Sequence, residues 1–352
     1  MQKTVYIVDD KDANLAVAEK ALRDHYRVMT LPSAAKMLAL LEKVMPDLIL
    51  LDIEMPGMDG FEALRILKTK GQYAQVPVIF LTGMTDSQLE VRGFQLGAVD
   101  FITKPFSEPV LVNRIKTHLK IDDIIQERTS QIHRLKNAIV FSFADIVEKR
   151  DQNTGGHIER TSEYIKILVN AMLERGVYDD ELKDMNLTTL ISSSRLHDIG
   201  KIAIPDCILN KGSQLTDEEF EVMKSHAAEG VGIIDQIASR AGDDEFLLNA
   251  KLFAGYHHER WDGKGYPHGL KEKTIPLQGR IMAVVDVYDA LVSTRPYKPP
   301  FSEEKAIRII MEGAGKQFDP IIADVFFEVR EQFNSVRRRC SCDDNCNLRI
   351  AV

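Results

Sequence analysis

The sequence predicts a multidomain chain: an α/β domain on a doubly wound parallel sheet, followed by an all-α helical bundle. Three observations predict it. Short apolar runs alternate with helical patterns over residues 1–120. From about residue 140 the periodicity is helical almost throughout, and no Val/Ile-rich alternating strand returns. The histidines of that second half gather with aspartates in a pattern suited to metal ligation.

Composition bounds the reading. A chain of 352 residues is long enough for about two domains. With 44% hydrophobic and 28% charged residues, most of it is expected to fold. No apolar run approaches the ~18 residues of a membrane-spanning helix, and Val5-Tyr6-Ile7-Val8 is too short for a signal-peptide core. The expected address is the cytoplasm, with no membrane partner. A formal net charge of −8 argues against a nucleic-acid polymer as partner.

In the first domain, Val5–Val8 reads as a buried strand ending on Asp9-Asp10. Leu48–Leu51 ends on Asp52, Val78–Leu81 on Thr82, and Phe101–Thr103 on Lys104-Pro105. Helical patterns such as Ala13–Asp24 and Phe61–Lys70 lie between them. Function in such sheets collects at the carboxyl ends of the strands. Asp9, Asp10 and Asp52 can hold a hard cation such as Mg2+, which prefers oxygen ligands. Lys104 and that cation can neutralise an incoming phosphoryl group, Asp52 can accept it, and Thr82 can hydrogen-bond its oxygens.

These residues, with Asp52-Ile53-Glu54-Met55-Pro56-Gly57-Met58-Asp59-Gly60, resemble the receiver domain of two-component response regulators. The resemblance implies a flavodoxin-like, five-stranded sheet. It makes Asp52 the phosphoacceptor for a cognate histidine kinase, and Asp9 and Asp10 the acid pocket. Thr82, Phe101 and Lys104 become switch residues, with the Phe101 ring turning inward on phosphorylation.

Between the domains, Ile125, Ile132, Leu135, Ile139 and Ile146 follow an alternating three-four spacing, with Arg128 and Ser142 at intervening slots. One long helix is expected, pairing with its own copy as a short coiled coil in a homodimer. The boundaries are 1–120 for the receiver, 121–139 for the connecting helix, 140–335 for the bundle and 336–352 for a mobile tail.

In the bundle, Thr216-Asp217-Glu218-Glu219 is a capping-box signature. Trp261 to Gly269 carries three glycines and a proline, hence a rigid loop. His197-Asp198 stands at the centre. Asp198 has two oxygens and can bridge two ions roughly 3.5–4 Å apart. His157, His226, His257, His258 and Asp286 supply further donors, about what two octahedral ions need. Adjacent histidines serve one site best where a helix ends, and the loop after His257-His258 supplies that end. Asp286 and Asp289 are i and i+3 on one helix face.

His197-Asp198-Ile199-Gly200-Lys201, His257-His258-Glu259, Gly265-Tyr266-Pro267 and Asp286-Val287-Tyr288-Asp289 together resemble the HD-GYP subgroup of the HD phosphohydrolase superfamily. The resemblance implies hydrolysis of cyclic di-GMP to linear pGpG and, in many members, on to GMP. One metal would be held by His157, His197, Asp198 and Asp286, and a second by Asp198, His226, His257 and His258. Iron, manganese, zinc and nickel all suit such donors. Asp198 and Lys201 are the catalytic candidates; Lys201, Asp289, Arg295 and Lys298 are the expected substrate contacts. Asn153 stands where some members carry a glutamate for a third metal, so two ions are expected. The Gly265-Tyr266-Pro267 loop either docks diguanylate cyclase domains or shapes the pocket rim. Cys340, Cys342 and Cys346 lack a fourth ligand for a soft metal. Two alternatives stand beside this reading: a nucleotide-sensing or docking module with little turnover, and a phosphodiesterase for another cyclic dinucleotide such as cyclic GMP-AMP.

Overall fold

The computed structural model describes residues 2–83, 87–151, 156–242, 244–293 and 299–347, with side chains except those of Ser87 and of 340–347. The chain forms two units, Met1–His133 and Arg134–Val352.

The first unit is a five-stranded parallel sheet in the order β2-β1-β3-β4-β5. Its strands are β1 (Thr4–Val8), β2 (Arg27–Leu31), β3 (Leu48–Asp52), β4 (Val78–Thr82) and β5 (Asp100–Thr103). Its helices are α1 (Asp12–Leu22), α2 (Ala34–Leu41), α3 (Gly60–Thr69), α4 (Ser87–Gln95) and the start of α5 (Glu108–Arg150). Every residue of β1, β3 and β4 is buried, as a strand covered on both faces requires. One face carries a core around Tyr6, Phe61 and Phe80, the other a core around Ile7, Leu22 and Ile115. The register pairs Asp52 with Leu81 and Thr82 with Thr103, which brings Asp52, Thr82 and Lys104 to one edge. Gly60 opens α3 so close to β3 that a Cβ there would stand 2.3 Å from Asp52 O.

The strand without an apolar run is β2. It lies at the sheet edge and leaves Arg27 and Thr30 exposed, so it shows no run of buried side chains. The expected connecting segment is the middle of α5, which carries Leu111, Ile115 and Leu119 in the core of the first unit.

The second unit is helical, with no strand among the described residues. It contains α6 (His157–Glu174), α7 (Asp179–Leu182), α8 (Leu187–Ser193), 3-10 turns at Ser194–Leu196 and Ile199–Ala203, and α9 (Asp206–Leu209). It continues with α10 (Asp217–Lys224), α11 (His226–Ala241), α12 (Glu245–Tyr256), α13 (Leu277–Val292), α14 (Glu303–Glu312) and α15 (Pro320–Asn347). The Thr216 capping box opens α10 with both reciprocal bonds. Helix α13 is apolar on nearly every side and runs through the core against Tyr164, Phe326 and Phe333, the place for a helix without a polar face. No described helix is long and apolar enough to cross a membrane.

The boundary expected at residue 336 falls inside α15, and the expectation of a mobile tail from there is corrected by its contacts. Val336 is buried in the core, and Arg337 and Arg338 each reach a Glu303 oxygen at 3.1 Å, so the helix stays packed past that point. The side chains of Cys340, Cys342 and Cys346 lie outside the described ones.

Candidate metal centre

His197 and Asp198 sit at the break between the two 3-10 turns. That break lets two neighbouring side chains enter one site, which a continuous helix would splay about 100° apart. The turn after Asp198 packs against α11 so tightly that a Cβ on Gly200 would lie 1.9 Å from His226 O. That approach brings His226, the first residue of α11, to Asp198. Helix α12 stops at Tyr256 with His257 as its cap, so His257 and His258 both turn inward.

The candidate ligands form two groups that share Asp198. One is Asp198, His226, His257 and His258; the other is His157, His197 and Asp198; within each, the donor atoms lie within 4.8 Å of one another. Asp198 Oδ1 faces the first group, 3.5 Å from His226 Nε2 and 3.6 Å from His257 Nε2. Its Oδ2 faces the second, 3.4 Å from His197 Nε2. Asp286, from α13, stands 3.7 Å from His157 Nε2.

The back of each ring tests whether a cation fits. His197 Nδ1 meets Ser194 O at 3.0 Å, His226 Nδ1 meets Met223 O at 2.7 Å, and His257 Nδ1 meets Phe253 O at 3.0 Å. A carbonyl only accepts, so each of these Nδ1 atoms carries the hydrogen and leaves Nε2 as the atom that can bind a cation. The Nε2 atoms of His226 and His257 stand 3.4 Å apart, and that of His258 lies 3.1 Å from His226 Nε2. With an oxygen of Asp198 these donors lie within 4.8 Å of one another, close enough for one cation to take them all. The donor set fits divalent transition metals.

The electrostatics agree. Burial is the chief reason His226 falls to about 4, with the neighbouring His257 adding to it and Asp198 opposing. His258 is likewise pushed well down by burial, then by His257 and His226. Burial works against ionised Asp198, but Lys201 and His197 outweigh it and hold the carboxyl well below its usual range. Neutral His226 and His258 thus stand beside an ionised carboxylate. Lys201 Nζ lies 2.8 Å from Asp198 Oδ2 and 2.6 Å from Asp151 Oδ2. Burial alone would lower its pKa, but the two carboxylates raise it above the ordinary value, so it stays charged.

Asp289, an expected substrate contact, is among the residues lining the cavity at the cluster. It is buried, with Oδ2 on His157 Nδ1 at 2.8 Å and both oxygens on Arg160 at 2.7 and 2.9 Å. It therefore orients His157 from behind. Arg295, Lys298 and Asn153 lie outside the described residues. Tyr266 stacks on His258, with ring centroids 4.6 Å apart at 29°. Gly265 admits no side chain, since a Cβ there would meet Arg260 N at 2.4 Å. A cavity of about 280 Å3 opens on the cluster, lined among others by Asp151, His157, Asp198, Lys201, His226 and Tyr266.

Sequence reasoning missed three supports, Glu148, Asp151 and Arg160, and assigned no role to a fourth, Glu259. Glu259 is buried and accepts from His268 N at 2.7 Å and Leu270 N at 3.0 Å, which ties down the glycine loop. Its place directly after His257-His258 was the available signal.

In the first unit, Asp9, Asp10 and Asp52 bring their oxygens within 4.8 Å of one another. Lys104 Nζ lies 2.6 Å from Asp9 Oδ2 and 2.9 Å from Asp52 Oδ1. Asp10 Oδ1 is buried with no hydrogen-bond partner, an orphaned acceptor of the kind a hard cation satisfies. Burial raises Asp52, against the pull of Lys104. Thr82 is buried at the end of β4, and the Phe101 ring lies inward, 5.3 Å from that of Phe80.

Comparison with known proteins agrees with this division. Residues 5–116 match the response regulator receiver domain, and residues 142–322 match the HD domain. A probable cyclic di-GMP phosphodiesterase of Vibrio cholerae serotype O1 is 38% identical, with 100% of this chain and 83% of that protein covered. The cyclic di-GMP phosphodiesterase response regulator RpfG of Xanthomonas campestris pv. campestris is 32% identical over 94% of this chain and 89% of its own length. A 3'3'-cGAMP-specific phosphodiesterase 2 of Vibrio cholerae serotype O1 is 36% identical, over 56% of this chain and 36% of that protein. With a receiver domain, an HD domain and relatives matched across both, the chain belongs to the family of response regulators that carry an HD domain as their output.

Proposed function

We propose that this chain is a response regulator whose output is a metal-dependent phosphodiesterase acting on cyclic di-GMP. The observation that carries the reading is Asp198, which turns one oxygen to each of two histidine groups. The names of the relatives that span both domains support the substrate. His157, His197, Asp198 and Asp286 would hold one ion, and Asp198, His226, His257 and His258 the other, drawn from iron, manganese, zinc and nickel. Held by these residues, two such ions would supply an acidified water and positive charge at phosphorus.

Around them the chain's own groups bind and orient. Lys201, kept charged by Asp151 and Asp198, serves as a cation for phosphate oxygens rather than as a base. Two neighbouring cavities share lining residues with the one at the cluster: one of about 310 Å3 bounded by Asp286, Ser293 and Phe301, and one of about 380 Å3 bounded by His258, Tyr266 and Lys264. Space on both sides of one reacting centre suits a ligand with two bases. Stacking of Tyr266 on His258 favours the pocket-rim role for the glycine loop over docking of diguanylate cyclase domains.

In the receiver, Asp52 would take a phosphoryl group from a cognate histidine kinase with Mg2+ held by Asp9, Asp10 and Asp52, and Thr82 and Phe101 would register it. Pairing of α5 with its copy would make the molecule a homodimer. Full-length protein loaded anaerobically with Mn2+ or Fe2+ is expected to convert cyclic di-GMP to pGpG, and Asp198→Ala to abolish this. Loaded protein without turnover would favour the sensing alternative. The similarity to a 3'3'-cGAMP-specific relative favours one second reading, the same reaction on 3'3'-cGAMP, which side-by-side rates on the two dinucleotides distinguish.

A further inference from the structure

The last turn of α5 touches the metal centre from outside it. Arg150, the final residue of that helix, sets its guanidinium on Lys201 O at 3.1 Å, Ile202 O at 2.8 Å, Ile204 O at 2.8 Å and Asp206 Oδ1 at 2.9 Å. The three carbonyls belong to the turn that begins directly after Asp198 and to the residue that caps it. Ile202 O and Ile204 O stand at the end of the turn, where carbonyls lack intrahelical partners, Lys201 O also accepts from Ile204 N, and the planar fork of an arginine can serve all three at once. Asp151, the next residue, holds the Lys201 ammonium at 2.6 Å, so consecutive residues grip Lys201 at both ends. One turn earlier, the buried Glu148 accepts from His157 N at 3.1 Å. None of the three belongs to the candidate ligand groups.

We propose that Arg150 is a positioning residue of the metal centre. By clamping the carbonyls of Lys201, Ile202 and Ile204 it fixes the direction in which Asp198 presents its two oxygens. With Glu148 and Asp151 it makes the end of α5 the point at which a movement of that helix reaches the ligands. The same helix carries Leu111, Ile115 and Leu119 in the receiver core, so a change in the receiver has a covalent path to this turn. The inference rests on the metal-centre reading above and is independent of which dinucleotide is hydrolysed.

The test uses the full chain with Arg150→Ala and Arg150→Lys, read by amide exchange and by Mn2+ binding. The amides of Lys201 and Ile204, which close the turn onto Asp198 O and Lys201 O, report on the clamp. In Arg150→Ala their exchange is expected to speed up by at least ~10-fold, and Mn2+ affinity to fall ~10–100-fold, as when a group supporting a metal ligand is removed. Arg150→Lys keeps the charge at the helix end and loses the fork, so it should fall between the two; it carries the test if the alanine variant does not fold. Beryllium fluoride with Mg2+ should alter exchange at these two amides in the unmodified chain and cease to do so in the variant, while the receiver amides still respond. Wild-type exchange and Mn2+ affinity in both variants would overturn the positioning role. A beryllium fluoride response at these amides that survives in Arg150→Ala would overturn the transmission. Absence of cyclic di-GMP turnover in the unmodified chain leaves every one of these readouts intact and bears only on the substrate.

Discussion

His157 shows how one carboxylate behind a ring sets the chemistry in front of it. Burial pushes its pKa down, but the bond and charge of Asp289, with the charges of Asp286 and Glu148, raise it to about 9. The folded value lies above the ordinary 6.5. The metal-free protein therefore keeps a second proton on this ring at neutral pH. That proton's contribution to stability is complete below about 6.5 and is lost as the pH rises through about 9. A metal can take Nε2 only by displacing it. Loading metal-free protein with Mn2+ in weak buffer near neutral pH is expected to release about one proton per chain from this site. Asp289→Asn should release less and bind the ion ~10–100-fold more weakly. Calorimetry in buffers of different ionisation enthalpy measures both quantities; equal values for the two proteins would sink the argument.

Among the elements, the loop after α12 is anchored by backbone bonds, such as Asp262 N to Lys316 O and Tyr266 N to His258 O, and by the buried Glu259 side chain. Each Glu259 oxygen accepts one backbone N–H, from His268 and from Leu270. In Glu259→Gln one oxygen is replaced by a donor that faces another donor, which costs about 1–3 kcal/mol of local stability. Because the loop seats Tyr266 on His258 at the mouth of the cavity, KM for the dinucleotide is expected to rise several-fold, with kcat changed less and exchange over residues 265–270 faster. A variant with an unaltered KM and an unaltered loop would show that the loop is held by other means. How much of this was legible in the sequence differs from element to element. The central strands were legible because burial on both faces leaves an unbroken apolar run, as in Leu48–Leu51; β2 was not, because an edge strand exposes Arg27 and Thr30. The ligands stood out as histidines beside carboxylates. Their supports did not, since Glu148, Arg150 and Arg160 look like any charged helix residue until the chain folds back on them. Asp289 is a case of the same kind: i, i+3 spacing places it beside Asp286 on one face, but its partners Arg160 and His157 come from another helix and are invisible in that spacing.

At the scale of the whole molecule, α5 leaves an apolar stripe exposed among the described residues. Ile125, Ile132, Leu135, Ile139 and Ile146 are between 46% and 67% exposed, and they recur at the seven-residue and three-four intervals of a coiled-coil seam. Scattered exposed aliphatics need no explanation, but a stripe in register along one helix does. Burying one such side chain contributes about 1.5–3 kcal/mol, so several of them on each of two helices offset the entropy of association at micromolar concentration. Arg128 and Ser142 occupy intervening seam slots and would fix the register of two parallel copies, as polar seam residues do at a cost in stability. The full chain is therefore expected to elute as a dimer by light scattering. The double variant Ile132→Glu, Leu135→Glu should be a monomer that still binds Mn2+, because the ligands lie entirely within the second unit. A chain that remains monomeric at ~100 μM, far above the dissociation constant such a seam provides, would mean that the stripe has another partner and that any effect of Asp52 phosphorylation on the metal centre travels within one chain.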